Sequence, residues 1–528
     1  MLSTTDLFVI ALYAVVLLSV ALYVSTRKTA ANMSSEDYFL AGKSLPWWAI
    51  GASLIAANIS AEQIIGQSGQ GFVVGLAIAA YEWQAAIVLL IVAKYFLPIF
   101  LAKKIYTMPQ FLELRFGQGI KSLMAVFWVV LYTAVNLTAV LWLGGLALTA
   151  LTGWSVLPAM IGLAVFAVLY SLYGGLKAVA LTDIIQVVVL IAGGFVITGI
   201  ALSMVGDGAG IFGGLGILMN EIPGHFQMIL SPNNPSYGNL PGIWTLLGGL
   251  WVLHFSYWGF NQYIIQRALG AESLAEAQKG LAFAAALKLL IPVIVVIPGI
   301  AALYLAKQGA LSMETLSTSP DSTYGILMGL VPEGFRGLVF AALIAAIVSS
   351  LASMMNSIST IFTMDIYRDM IAPEKTEAHY VTVGRATSVA AIATAVLLAK
   401  PFLGGMESAF QTIQEYTGFI APGIVSVFLL GMFWRGTNAT GAFAMLIVSI
   451  VANIALKFAT PDLAFVIRIW FVFLSCLVVG VLASRFAAAP DASRVINLDD
   501  MQFATTVGFN RSAVVITVIL VAIYIAYW

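Results

Sequence analysis

The sequence predicts an all-α polytopic membrane protein of about fourteen transmembrane helices, and three observations carry that prediction. Of 528 residues, 61% are hydrophobic and 9% charged, with mean hydropathy +0.99, far from the soluble norm. Apolar runs of about 20 residues, the length that crosses hydrocarbon, recur along the whole chain. Seventeen of the 24 Lys and Arg residues, Arg267 among them, fall in or beside odd-numbered loops and four in or beside even ones. That asymmetry marks the odd loops as cytoplasmic and puts both termini outside.

In order, the expected spans are 4–26, 46–71, 75–102, 119–148, 155–174, 178–205, 241–266, 275–306, 334–364, 381–399, 404–434, 437–456, 462–484 and 512–528. The first has no basic residue before its apolar run and Arg27-Lys28 after it, so it reads as a retained helix rather than a cleaved leader. Two long external loops, 205–240 and 306–333, either cap the outer mouth or merely connect helices. Zero formal net charge offers no basic face to nucleic acid. The single cysteine, Cys476, excludes disulfides, and His225, His254 and His379 lack ligand spacing.

Span two does not behave like a span in its middle. Asn58, Ser60, Glu62 and Gln63 sit at mid-depth among small residues, with Gly66, Gly69 and Gly71 beyond. Polar groups in hydrocarbon cost several kcal/mol unless answered, so a break that exposes carbonyls is expected here. Span seven offers a second interruption, His254-Phe255-Ser256-Tyr257-Trp258-Gly259-Phe260-Asn261-Gln262, with Gly259 as its weak point. Two interrupted spans five apart predict two five-helix repeats of inverted topology, 46–205 and 241–434, flanked by 1–45, the loop 206–240 and peripheral helices 435–528.

Other polar groups fall where lipid should exclude them. Glu82 in span three either fixes packing through a partner or accepts from a ligand, with Tyr81 and Ala85 beside it. Lys288 lies mid-span, too deep to snorkel. In AFQTIQEYTG, Phe410 and Gln414 stack at i and i+4. Ala346, Ser349 and Ser350 share one side of span nine, so one carbonyl and two hydroxyls can converge on a hard cation such as Na⁺. Serines bonding back to the preceding turn remain the plain alternative. Asp183 falls near the cytoplasmic end of span six, as a solvated or capping group or as part of an ion path.

GASLIAANISAEQ, YEW, KYFLPIF, YGGL, LTDIIQV, YWGFNQYIIQR, EAQKG, AAIVSSLASM, TIFTMDIY and IQEYTG together resemble the sodium/solute symporter family, from about Phe39 to Trp434. The resemblance implies the leucine-transporter type of five-plus-five fold. It implies a Na⁺ site from the carbonyls of Ala56, Ile59 and Ala346 with the hydroxyls of Ser349 and Ser350, and an exit route past Asp183. By the same likeness Gln63, Glu82, Lys288 and Gln414 would hold a sugar. Tyr257, held by Asn58, would form the inner gate, and Tyr81 and Phe410 the outer one. Three positions depart from the galactose-transporting pattern: His254 replaces an asparagine, Ala85 a serine and Gln67 a methionine, which alters which hydroxyls are read.

The expected function is sodium-driven symport of a neutral hexose such as galactose or glucose across a bacterial inner membrane, with Na⁺ as the co-transported ion and no organic cofactor. A homo-oligomer is allowed and not required. Symport of a polyol, amino acid or carboxylate is the nearer alternative; an intramembrane enzyme or a sensor is the further one, without HExxH, paired aspartates or a signalling domain to support it.

Overall fold

The computed structural model describes residues 2–25, 34–172, 175–403 and 409–528. Regular structure among them is helical, apart from one isolated bridge between Leu45 and Ala271. Hydrocarbon imposes this, because only a helix pairs all its backbone groups within one segment. In chain order the helices are α1 (Thr4–Tyr23), α2 (Trp47–Asn58), α3 (Glu62–Val73), α4 (Leu76–Ala102), α5 (Gln118–Thr149), α6 (Val156–Leu169), α7 (Gly175–Gly206), α8 (Leu250–Phe260), α9 (Gln262–Leu269), α10 (Leu274–Lys307), α11 (Phe335–Ile371), α12 (Glu377–Leu403), α13 (Ile413–Phe433), α14 (Ala439–Ala459), α15 (Phe465–Phe486) and α16 (Val507–Ala526). Among the described residues eleven are long and apolar enough to cross a membrane alone, and α2 with α3 makes a twelfth, bent by 61°.

Both interruptions have local causes. At the first, Ile59 is extended (φ −79, ψ 97), and the Ser60 N–H turns to the Gln63 amide oxygen at 3.0 Å instead of the Ala56 carbonyl. A π-wound turn, Glu62–Gly66, follows at once, the kind of irregularity that clusters at functional positions. Between α8 and α9 the break falls at Asn261 (φ −83, ψ 122) and not at Gly259. Asn261 accepts from the Tyr263 N–H at 3.2 Å and from the Tyr132 hydroxyl at 3.0 Å, capping the new helix. Gly259 stays helical because a Cβ there would stand 3.1 Å from the Phe96 ring; it makes room for packing rather than for bending.

The long helix α10 lies along α2, α3 and α4, while α7 packs against α2, α10 and α11. The α3 helix and the C-terminal half of α10 approach backbone to backbone: a Cβ on Gly71 would be 2.6 Å from the Val296 carbonyl, and one on Gly299 would overlap the Ser68 carbonyl. Of the two long loops, 306–333 packs on the broken helix: its Pro320 carbonyl lies 2.6 Å from where a Gly69 Cβ would be. The 205–240 segment forms a helix, Gly210–Glu221, against α7.

Arg267, read from the sequence as a cytoplasmic loop charge, is 0% exposed. It lies on α9 and packs into the protein because that helix is the continuation of a broken span. Lys121 at the start of α5 is also enclosed, held by Glu113 at 2.6 Å and by Asp369, beside Asp365. This pins the ends of α5 and α11 together.

Leu at Gly299 is expected to destabilise the fold by about 1–3 kcal/mol or more, since backbone cannot retreat from overpacking. Alanine at Gly162, inside α6 with nothing within 4 Å, should leave stability unchanged or raise it by up to about 1 kcal/mol. Thermal unfolding of the two variants in detergent distinguishes them; equal midpoints would contradict the close approach.

Candidate functional site

The first half of a broken helix ends in side chains that would normally lie one turn apart along a continuous rod. Here they splay towards a cavity of about 60 Å³ lined by Asn58, Gln63, Gln67, Tyr81, Glu82, His254, Tyr257, Trp258, Lys288 and Gln414, among others. Nine of the ten solute residues expected from the sequence meet there. The tenth, Phe410, has its side chain outside the described residues. Ala85 is fully buried but not in the wall.

Charge organises this wall. Lys288 is 1% exposed and Glu82 2%, and they form an ion pair. The same ammonium donates to Asn58 Oδ1 and stands 4.7 Å from the Trp258 ring centroid, a cation–π contact. The other Glu82 oxygen accepts from the Gln67 amide at 2.7 Å. Asn58 passes the network on, its NH₂ donating to the Tyr257 hydroxyl at 3.1 Å. Tyr257 then packs edge-on to Trp258 and Tyr263 at 5.1 and 5.7 Å. Across the cavity Gln414 donates to Glu62 at 3.0 Å, and Tyr81 meets His254 edge-on at 6.4 Å. The result is a neutralised pocket rich in amides, suited to an uncharged polyhydroxyl compound.

Of the groups expected to hold a cation, Ser349 and Ser350 turn their hydroxyls to different partners. The Ala56 carbonyl has lost the Ser60 N–H, and the Ser350 hydroxyl reaches from α11 to the Ala57 carbonyl at 3.0 Å. Ser349, one residue earlier, instead donates to Asp183 at 2.6 Å. Asp183 is 0% exposed, which removes the solvated one of the two readings open from the sequence. Ser53 donates to its second oxygen, and Arg267 lies 3.7 Å away. Arg267 also donates to Ser53 Oγ at 2.8 Å and to Ser353. A sealed polar cluster therefore continues below the cation oxygens.

A model of the sodium:solute symporter family matches residues 38–449. The chain belongs to that family. The sodium/glucose cotransporter of Vibrio parahaemolyticus is 50% identical over 537 residues, covering 100% of this chain and 99% of that protein. Rattus norvegicus sodium/glucose cotransporter 2 is 32% identical, over 85% and 71% of the two chains. Mus musculus sodium/myo-inositol cotransporter 2 is also 32% identical, over 85% and 69%. Among solved structures, a Na⁺-coupled sialic acid symporter in a substrate-bound, outward-open state superposes with TM-score 0.80 at 22% identity, over 93% of this chain and 99% of that one. The family's fold is thus shared along nearly the whole chain.

Glu62, Trp258, Ser53, Ser353 and Arg267 were missed as site residues. Trp258 and Glu62 sit inside the segments singled out as broken, so their position was visible and their partners were not. For Arg267 the signal was weak: a basic residue at the end of an expected span looks the same whether it reaches water or turns inward.

Replacing Lys288 by Met leaves Glu82 charged and unpaired, and is expected to destabilise the protein by about 3–5 kcal/mol. Adding Glu82→Gln should restore a large part of that loss. A thermal-stability cycle over the two single variants and the double variant tests it, additive losses showing that the two groups are not coupled.

Proposed function

We propose that this chain is a sodium-driven symporter of a neutral hexose such as galactose or glucose, in a bacterial inner membrane, working by alternating access. The observation that carries the reading is the adjacency of two unlike sites on three consecutive residues. Ala57 presents its carbonyl to the Ser350 hydroxyl and the Ala56 carbonyl has lost the Ser60 N–H, while Asn58 faces the amide-rich pocket. The names of the relatives, sodium/glucose and sodium/myo-inositol cotransporters, support sugar and leave a polyol as the second reading.

In this cycle external Na⁺ is held by the carbonyls of Ala56, Ile59 and Ala346 and the hydroxyls of Ser349 and Ser350. Binding draws α11 and the broken helix together and sets Asn58, and through it Lys288 and Tyr257. Sugar then binds Gln63, Glu82, Lys288 and Gln414, between Tyr257 below and Tyr81 and Phe410 above. After the helices rock, Na⁺ leaves past Asp183. One charge moved inward gains about 2.3 kcal/mol per 100 mV, and a tenfold Na⁺ gradient adds about 1.4 kcal/mol. One Na⁺ per sugar is therefore enough for roughly several hundredfold accumulation.

The repeats enter the same proposal. With α6 and the broken α8–α9 counted as spans, the total is fourteen, and α2–α7 and α8–α13 become inverted halves. Exchange of contacts supports this: α2 packs on α10 as α8 does on α4, α5 on α12 as α11 does on α6, and α7 on α2 as α13 does on α8. Both termini are assigned outside. Asp6 accepts from the Gly334 and Gly337 N–H groups at 2.8 Å, and the Met228 N–H donates to the Tyr527 carbonyl at 2.7 Å, so one end meets the start of α11, where the 306–333 loop ends, and the other meets the 205–240 loop.

Purified protein in liposomes should accumulate labelled hexose only with Na⁺ outside, and Ser350→Ala should raise the Na⁺ concentration for half-maximal uptake by at least about tenfold, the worth of one cation oxygen. Uptake driven equally by K⁺ or protons, or unaffected by Ser350→Ala, counts against the mechanism. A panel including inositol separates hexose from polyol.

A further inference from the structure

Two buried atoms in the cavity wall have no partner among the described residues: Gln67 Oε1 and His254 Nε2. Lys288 in the same wall is used by Asn58 and Glu82, and the Gln414 NH₂ by Glu62. A buried polar atom left unpaired is costly. In a cavity wall that cost is removed by whatever enters.

The direction of the Gln67 group is fixed by its neighbour. Its NH₂ donates to Glu82 Oε1 at 2.7 Å, and a carboxylate paired with Lys288 can only accept. Turning the amide over would set oxygen against oxygen. Gln67 Oε1 is therefore an obligatory acceptor. His254 stands near it, its ring edge against Tyr81, the residue before Glu82, so the two unpaired atoms flank one turn of α4.

We propose that Gln67 and His254 determine which sugar this protein carries: Gln67 Oε1 takes the proton of one solute hydroxyl, and His254 Nε2 pairs with a second. The inference rests on the hexose reading above and adds to it a polarity. A hydroxyl that must donate is distinguishable from one that need only accept, because fluorine at the same carbon has nearly the same size and no proton.

The test is competition against sodium-driven uptake of the preferred labelled hexose in liposomes, using that sugar's monodeoxy and monodeoxyfluoro analogues at each carbon. At one carbon both replacements should compete at least about tenfold more weakly than the parent, the worth of one hydrogen bond to a buried acceptor. In Gln67→Met the parent's advantage at that carbon should fall to within about twofold, and His254→Phe should flatten a different carbon. Fluoro analogues that match the parent at every carbon in the unmodified protein overturn the inference without needing any variant, as does an unchanged pattern in both variants. Absence of sodium-driven hexose uptake by the unmodified protein overturns the proposed function and this inference together; uptake with a flat analogue panel overturns the inference alone.

Discussion

A single amide holds the centre of this molecule together. Asn58 is the last residue of α2, and its oxygen and nitrogen reach different helices: Lys288 on α10 and Tyr257 on α8. Both contacts are made from the last turn of α2, beside the break. Break and pocket therefore share one residue. Ile59 turns extended, Ser60 is drawn to Gln63, and the freed carbonyls and the displaced side chains point to opposite sides of the same short stretch.

That arrangement explains how an ion and a neutral solute can depend on one another without touching. Residue 57 turns its carbonyl to the α11 side, and residue 58 carries the side chain on the pocket side. Backbone rotation at any one of them moves the others, because the chain has only two soft torsions per residue. In the proposed cycle coupling needs no longer path than this. An ion that fixes the carbonyls also fixes the amide that orients Lys288 and Tyr257.

Much of this was legible in the sequence, and the limits are informative. Polar residues at mid-span stand out because hydrocarbon tolerates them only in pairs or at sites, so Asn58, Gln63, Glu82, Lys288 and Gln414 could be picked by depth alone, and nearly all the expected solute residues line one cavity. What depth cannot supply is a partner. Glu82 was readable as a buried carboxylate, but its pairing with Lys288 depends on α4 and α10 lying side by side, which no local pattern encodes. Arg267 was misplaced, and Asp183 stayed open between water and an ion path, for the opposite reason: near a span end a charge is equally acceptable in water or in protein. For Arg267 the turn of α9 into the bundle, fixed by the Asn261 cap, decides, and Asp183 lies inside beside it. The bend itself moved from Gly259 to Asn261 because a glycine permits a break, whereas a side chain that bonds the new amide stabilises one.

The bonds across the seam between the broken helices and α11 differ in strength, and the difference has a consequence for motion. Near the pocket the seam is crossed by the neutral Ser350-to-Ala57 hydrogen bond, whose exchange for a cation contact costs no more than about 0.5–1.5 kcal/mol. Below it the crossing is charged: Arg267 reaches Ser353, and Asp183 takes Ser53 and Ser349 from the two sides. Pulling a buried pair of that kind apart in a dry interior costs about 3–5 kcal/mol, but in water the same charges part for about 1 kcal/mol or less. In the proposed cycle the lower cluster therefore resists separation until water reaches it, so opening towards the cytoplasm and wetting of Asp183 and Arg267 are one event. The pocket network joins α2, α4 and α10 through the buried Lys288 charge, shared by Glu82 and Asn58, and holds α8 through the Lys288 contact with Trp258 and the neutral Asn58-to-Tyr257 bond. In the proposed cycle α2, α4 and α10 accordingly move as one body, and the sliding surface is left to the hydroxyls of α11.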